Sequence, residues 1–230
     1  MSARGRAENK NAPPAVSISG EVSTIVDVSH PETPAGTGGF HWRQADAYLF
    51  DIDGTLLNTL DGTHYHAFHH AVQAVYGVDS SIDGVPVHGN TDIGILRAVL
   101  RREGVSDAVF EQKLPAAVEH MCAEVARNSA AIRTQLCPAV RELLESLRAA
   151  GKLLGVVSGN LEPIGWAKLQ AAGLRDFFAF GSFSDKNEQR AAIFRHGIEE
   201  ARRRLGPQAL CASWATPLPT CAPPRAWVRR

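Results

Sequence analysis

Short apolar runs alternate with longer amphipathic segments along most of this chain. Ala47–Phe50, Leu153–Val157 and residues 177–180 are apolar and short enough to be single buried strands. The segments that separate or follow them repeat their apolar residues at helical spacing. Because strands that alternate with helices form parallel sheets, the pattern predicts an α/β fold with a doubly wound parallel sheet.

The predicted helices of this core have recognisable ends and faces. Pro138 suits the first turn of one helix, Gly151 is placed to end it, and Gly173 is placed to end the next. The apolar stripe of the first helix consists of Val140, Leu143, Leu144 and Leu147. One face of the last helix consists of Phe194, Ile198, Ala201 and Leu205.

The chain divides into segments of different composition. Between the first two strands, residues 62–130 follow helical periodicity, which predicts a helical insert. The N-terminal segment is rich in Pro and Gly, and the C-terminal segment is rich in Pro and Arg with no acidic residue after Glu200. The predicted division is a flexible leader at 1–44, a core at 45–57 and 137–209, a helical domain at 58–136 and an aberrant tail at 210–230.

Overall composition argues against several classes of partner. Lys plus Arg equals Asp plus Glu at 24 each, so no net field directs the chain to nucleic acid or to a membrane. No apolar run approaches the roughly 20 residues of a membrane-spanning helix, and the N-terminus lacks the apolar core of a signal peptide. The 4 cysteines show no paired metal spacing and are expected to be reduced, so we predict a cytoplasmic protein.

Candidate chemistry lies where the first two core strands end, because ligands of such sheets bind beyond the carboxyl ends of the strands. Asp51 and Asp53 are two residues apart on an extended segment, so their carboxylates point the same way and repel each other without a cation nearby. Mg²⁺ favours oxygen ligands of this kind, and one aspartate can attack phosphorus while the other handles a proton. Gly54 permits a tight turn and Thr55 offers a hydroxyl, although an ordinary Asp-Gly turn is the alternative.

Residues 48–57, Tyr-Leu-Phe-Asp-Ile-Asp-Gly-Thr-Leu-Leu, resemble the first motif of haloacid dehalogenase-like hydrolases, and the resemblance extends to about residue 205. It implies that Asp51 forms a phospho-aspartyl intermediate and binds magnesium through its carboxylate. It also implies that Asp53 protonates the leaving group, then activates water, and touches the metal through its carbonyl oxygen. True dehalogenases of this superfamily lack the second aspartate, so Asp53 points to phosphoryl transfer.

The loop Ser158-Gly159-Asn160 resembles the second motif of the same family. In that motif a Ser or Thr hydroxyl and the next amides hold a phosphate oxygen, a task that suits a hydroxyl and backbone N–H groups at a strand end. We therefore expect Ser158, Gly159 and Asn160 to bind phosphate. A loop without a ligand is the alternative.

The resemblance also requires a cation that neutralises the phosphate. Lys186 and Arg190 both follow the third predicted strand. Many relatives have a lysine there, and others have an arginine just before the helix, which matches Arg190. We favour Arg190, with Lys186 as the second candidate, and a solvated surface charge is the alternative for either.

Within the insert, residues 88–92, His-Gly-Asn-Thr-Asp, resemble a loop of family members that have a helical cap. In those members the cap closes over the site and reads the leaving group, so we expect Asn90 and Thr91 to contact the substrate. The histidines at 64, 66, 69 and 70 lack a partner Cys or carboxylate cluster, so we predict them on helix faces, with one or two towards the cleft.

A fourth family motif, a strand followed by an acidic loop such as Gly-Asp-x-x-x-Asp, is absent after Leu205. With permitted third bases, a shifted reading frame from Cys211 gives Arg-Val-Val-Gly-Asp-Thr-Pro-Ala-Asp-Val-Arg-Ala-Ala. That sequence contains a strand, the acidic loop and the start of a helix. We therefore predict that the tail from about Leu210 is out of frame and lies outside the fold.

The resulting prediction is a magnesium-dependent phosphate monoester hydrolase, a phosphatase that acts through an aspartyl-phosphate and is crippled by loss of the fourth motif. The expected partner is a small phosphorylated metabolite, with no nucleic acid and no membrane. Two alternatives stay open: a phosphomutase of the same fold, and an inactive product or phosphate-binding protein without turnover. The substrate and the oligomeric state are left open.

Overall fold

A computed structural model describes residues 44–87 and 89–215. The predicted leader at 1–44 and the tail beyond residue 215 therefore lie almost wholly outside the described residues, as does His88. The strands are β1 Ala47–Phe50, β2 Leu57–Thr59, β3 Thr134–Leu136, β4 Leu153–Val157, β5 Phe180–Ser182 and β6 Cys211–Trp214. The helices are α1 Thr63–Ala71, α2 Asp92–Arg102, α3 Asp107–Arg127, α4 Val140–Ala149, α5 Glu162–Ala171 and α6 Arg190–Leu205.

The core is a four-stranded parallel sheet in the order β5-β4-β1-β6, which confirms the predicted α/β fold. Successive residues of β1 face opposite sides of this sheet. Tyr48 and Phe50 pack in a cluster that includes residues of α4 and α5. Ala47 and Leu49 pack with residues of α6. Helices therefore cover both faces, as a doubly wound, Rossmann-like sheet requires.

The insert forms a helical unit with its own apolar cluster, drawn from α1, α2 and α3. Leu161 and Ile164 at the start of α5 join this cluster, so the insert packs directly on the core. The antiparallel pair β2 and β3 links the two units, with Leu57 opposite Leu136. Each of these strands has three residues of mixed polarity, which is too short for a period-2 pattern, and the sequence analysis missed both.

Three predicted details of the core are wrong. The third strand is Phe180–Ser182 rather than 177–180, because Arg175–Phe177 forms a 3-10 turn and the buried strand extends into a serine. Pro138 lies in a turn before its helix, which begins at Val140. Leu205, expected on a buried face, is the last residue of α6 and is 48% exposed.

The prediction that the tail from about residue 210 lies outside the fold is also wrong for β6. Ala47 pairs with Cys211 and Phe50 with Trp214, so the strand extends the sheet in register. The Trp214 ring stacks on both aromatic residues of β1, at 5.8 Å from Tyr48 and 5.6 Å from Phe50 between ring centroids. Small residues suit a buried strand, and the Pro-rich composition of the whole tail concealed this four-residue segment. None of the described helices is long and apolar enough to cross a membrane.

Candidate active site

Two neighbouring strands bring the first two motifs together. β1 and β4 are parallel with Phe50 opposite Val156, so Asp51 and Ser158 leave the sheet side by side. Both residues are buried. The backbone N–H of Asp51 donates to the Trp214 carbonyl oxygen at 2.9 Å, so β6 also holds the start of the first motif in place.

Asp51 is enclosed by donors from two elements. One carboxylate oxygen accepts from the Ile52 N–H at 2.8 Å, and the other contacts the guanidinium of Arg190, the first residue of α6. Burial raises the pKa of Asp51, and the Arg190 charge and hydrogen bond oppose that rise. The geometry therefore brings Arg190, of the two candidate cations, to the proposed nucleophile.

Lys186 lies elsewhere. Its side chain is exposed and lines a cleft of about 550 Å³ between α2 and the loop before α6, together with Asn90, Arg97 and Glu188. No contact of Lys186 with either aspartate is found among the described residues. The cleft adjoins the candidate site on the side of the insert.

Asp53 sits in a different environment from Asp51, because its side chain is 46% exposed. Its two carboxylate oxygens accept from the Lys168 ammonium at 3.0 and 2.9 Å, and one also accepts from the Asn160 amide at 2.7 Å. Desolvation raises the pKa of Asp53, but the Lys168 charge and these hydrogen bonds outweigh it and hold the pKa below its usual value.

Asn160 and Lys168 tie the second motif to the first. The Asn160 amide donates to the Ser158 hydroxyl at 2.8 Å, and the Asn160 carbonyl oxygen accepts from Lys168 at 2.8 Å. The sequence analysis missed Lys168. The available signal was its place on α5 at helical spacing from Ile164 and Gly165, on the face that the helix buries.

The turn after Asp53 has the predicted geometry. Gly54 has φ +75°, a left-handed conformation that glycine adopts without strain, and its N–H donates to the Leu57 carbonyl oxygen at 2.9 Å. The Thr55 N–H donates to the Ile52 carbonyl oxygen at 3.2 Å. Both residues lie partly buried beside the two aspartates.

The insert loop meets the second motif. A Cβ on Gly159 would lie 2.4 Å from the Asn90 carbonyl oxygen, so only glycine fits this contact. The Asp92 N–H donates to the Gly159 carbonyl oxygen at 2.8 Å, and the Thr91 hydroxyl donates to the Glu188 carbonyl oxygen at 2.8 Å. The Asn90 amide is engaged by Pro86 and Thr91 within its own loop. The structure therefore brings Asn90 and Thr91 to the edge of the site.

One histidine of the cluster faces the site. The His64 ring nitrogen lies 3.1 Å from an Asp92 carboxylate oxygen, which also accepts from the Leu161 N–H at 2.8 Å. The His64 charge also helps to lower the pKa of Asp53. His69 and His70 instead contact Ser80 and Glu124, so the histidines do not converge on one point.

The donors at the site fit a magnesium ion in type and in part. Magnesium is commonly held by one or two carboxylates, with water and substrate phosphate completing the shell. Asp51 and Asp53 are such carboxylates, but each already contacts a cation. Within the described part of the chain, no group of three or more His, Cys, Asp or Glu side chains is placed to hold a metal.

The chain belongs to the haloacid dehalogenase-like hydrolase family, whose model matches residues 48–204. The predicted family is thus confirmed, and with it the expectation of a hydrolase. No curated protein matches the sequence.

Solved structures of this family share the fold. CbbY from Rhodobacter sphaeroides in complex with phosphate is 23% identical, with a TM-score of 0.52 over 68% of this chain and 72% of that chain. A mutant of CbbY in complex with xylulose-(1,5)bisphosphate has a TM-score of 0.50 at 23% identity, over 68% of this chain and 72% of that chain. A predicted phosphoglycolate phosphatase from Haemophilus somnus has a TM-score of 0.47 at 20% identity, over 68% of this chain and 72% of that chain.

Proposed function

We propose that this chain is a phosphate monoester hydrolase that acts on a small phosphorylated metabolite in the cytoplasm. The observation that supports it most is the Asp51 carboxylate, buried at the end of β1, in contact with Arg190 and beside Ser158. A buried carboxylate next to a cation and a hydroxyl suits attack on an anionic phosphate, because the cation offsets the repulsion between them.

In the proposed first step, an Asp51 oxygen attacks phosphorus, an aspartyl-phosphate forms, and the bond to the leaving oxygen breaks. Ser158 and the Gly159-Asn160 segment hold the phosphate oxygens, and Arg190 compensates their charge. Asp53 gives its proton to the leaving oxygen. An approaching phosphate dianion favours the protonated form of a nearby carboxyl, which opposes the effect of Lys168 on Asp53.

In the proposed second step, Asp53 takes a proton from a water molecule, which attacks the same phosphorus. The bond between Asp51 and phosphorus breaks, and inorganic phosphate and the free carboxylate result. Magnesium, held by the Asp51 carboxylate and by Asp53, would add positive charge beside the transferred phosphoryl group. Asn90 and Thr91 lie where a closed cap would contact the leaving group.

The experiment for this proposal is Asp51→Asn, assayed with p-nitrophenyl phosphate in a protein that carries the acidic loop of the shifted frame. Turnover should fall to the background level, because the amide cannot form the intermediate. Asp176→Asn is the matched control, since Asp176 is exposed and lies on the 3-10 turn before β5. Turnover retained in Asp51→Asn would refute the proposal.

A phosphate-binding protein without turnover is the second candidate. It is favoured by the pairing of each aspartate with its own cation, Arg190 for Asp51 and Lys168 for Asp53. Such a site presents little net negative charge to an anion. Saturable binding of inorganic phosphate to the full chain, together with no hydrolysis of any monoester, would establish this candidate instead.

A further inference from the structure

A buried lysine that the proposed steps do not use lies directly behind Asp53. Lys168 is 4% exposed, and its ammonium donates to both Asp53 oxygens and to the Asn160 carbonyl oxygen, at 3.0, 2.9 and 2.8 Å. An ammonium has three donors, so these three contacts use all of them. The side chain is therefore held at a single position.

The cost of burying this charge indicates that its contacts matter. An unpaired buried ammonium is strongly unfavourable, and a pair is stable only if its remaining donors are also satisfied. A lysine with no role beyond packing on α5 is replaceable by an apolar residue of similar length. Here the charge instead joins α5 to a carboxylate 115 positions earlier in the chain.

The same contacts fix two motifs relative to each other. Asn160 donates to Asp53 at 2.7 Å and to the Ser158 hydroxyl at 2.8 Å, while its carbonyl oxygen is held by Lys168. Lys168, Asn160, Asp53 and Ser158 thus form a connected network, which we name the lysine clamp. A change at Lys168 would release the proposed acid/base and the proposed phosphate loop together.

We infer that Lys168 is a positioning residue of the reaction, which holds the Asp53 carboxyl and the Asn160 amide in the geometry needed to deliver a proton to the leaving oxygen. This inference rests on the proposed function. Asp53 is half-exposed and on a loop, so nothing else among its described contacts, apart from Asn160, holds its side chain in place. Lys168 itself stays too deep to touch the substrate.

The test compares two substrates that differ in their need for a proton. An alkyl phosphate such as glycerol 3-phosphate has a poor leaving group that needs a well-placed acid, whereas nitrophenolate leaves with little help. In Lys168→Met, kcat for the alkyl ester should fall by ~100-fold, the lower end of general acid–base contributions, and kcat for p-nitrophenyl phosphate by less than ~10-fold. KM for both should stay within about threefold, because the phosphate ligands remain.

The variants are made in the full chain with the written tail and in the chain with the acidic loop of the shifted frame. Lys152→Met is the matched control, since Lys152 is a partly exposed lysine between α4 and β4. Lys168→Gln, which keeps polar contacts without the charge, replaces Lys168→Met if the latter fails to fold by circular dichroism. The alkyl ester should again be the more affected substrate.

Equal losses on the two esters, or no loss on either, would overturn the inference while leaving the proposed function intact. Absence of hydrolysis by both parent chains would instead refute the proposed function, and the inference would fall with it. A separate measurement follows the side-chain amide of Asn160 by NMR. Its resonance should shift in Lys168→Met and stay in place in Lys152→Met, and an unchanged resonance would show that no clamp exists.

Discussion

The ends of the central strands and the end of β6 lie at the same edge of the sheet but differ in chemistry. β1 and β4 end in Asp51 and Ser158, whose side chains contact partners from α6 and the adjacent loop. β6 pairs with β1 equally well, yet it ends in Trp214 and Ala215 with no acidic side chain. Building a strand and equipping its end are therefore separate requirements.

The difference has a physical reason. A buried strand needs only small or apolar side chains and the right register, so Cys211 to Trp214 can complete the sheet. A phosphate or metal site needs particular donors at particular places. A reading frame that supplies the first and not the second would give a protein that folds and yet catalyses poorly.

The largest expected effect concerns the equipped end of the sheet. Asp53→Asn should lower the turnover of the chain with the acidic loop by ~10²–10⁴-fold, because the amide cannot transfer a proton. The measurement is kcat for an alkyl phosphate, with circular dichroism to show that the fold is intact. Asp176→Asn serves as control, and an unchanged rate in Asp53→Asn would mean that this aspartate is only a turn residue.

The second prediction tests whether β6 contributes to the fold. Trp214→Ala should lower the free energy of unfolding by about 2 kcal/mol, somewhat below the cost for a fully buried aromatic, since the ring is partly buried against Tyr48 and Phe50. Urea unfolding of the written chain gives the value. Leu210→Ala, at an exposed neighbouring position, should change it by less than ~0.5 kcal/mol. Equal stability of both variants and the parent would place β6 outside the folded unit.

The smallest effect is expected away from both ends. Glu200 on α6 contacts Arg203 and Arg204, and these hydrogen bonds lower its pKa from 4.5 to about 2. A lowered pKa in the folded state means that the stabilisation is present above pH 4.5 and is lost as the pH falls towards 2. Exposed pairs of this spacing contribute only about 0.3–0.5 kcal/mol each.

The measurement for Glu200 is the pH dependence of the unfolding free energy in parent and Glu200→Gln. The two curves should differ by up to about 1 kcal/mol near neutral pH and converge at low pH. Curves that diverge as the pH falls would contradict the assignment. Activity should be equal in the two proteins, because Glu200 lies outside the candidate site.

Local patterns predicted much of the core and part of the site. β1 and β4 have the predicted bounds because each is a continuous apolar run that ends in polar residues. Asp51, Ser158 and Arg190 come together because parallel strands and the following helix must meet at one edge. Their catalytic roles stay predictions.

The missed features depend on partners far away in the sequence. Lys168 reads as an ordinary helix residue until the fold places Asp53 beside it. β2 and β3 are defined by each other across the whole insert. β6 was rejected because its four residues were judged with the Pro-rich segment that follows, although strand formation depends on the neighbouring β1.

The most direct test compares magnesium-dependent hydrolysis of p-nitrophenyl phosphate by two full-length chains. One carries the written tail, and the other carries Arg-Val-Val-Gly-Asp-Thr-Pro-Ala-Asp-Val-Arg-Ala-Ala from position 211 onwards. We expect both to fold with β6 in place, and only the second to hydrolyse the ester efficiently and to lose that activity with a chelator. Equal activity of the two chains would contradict the account, because the written chain would then supply the missing ligands from elsewhere.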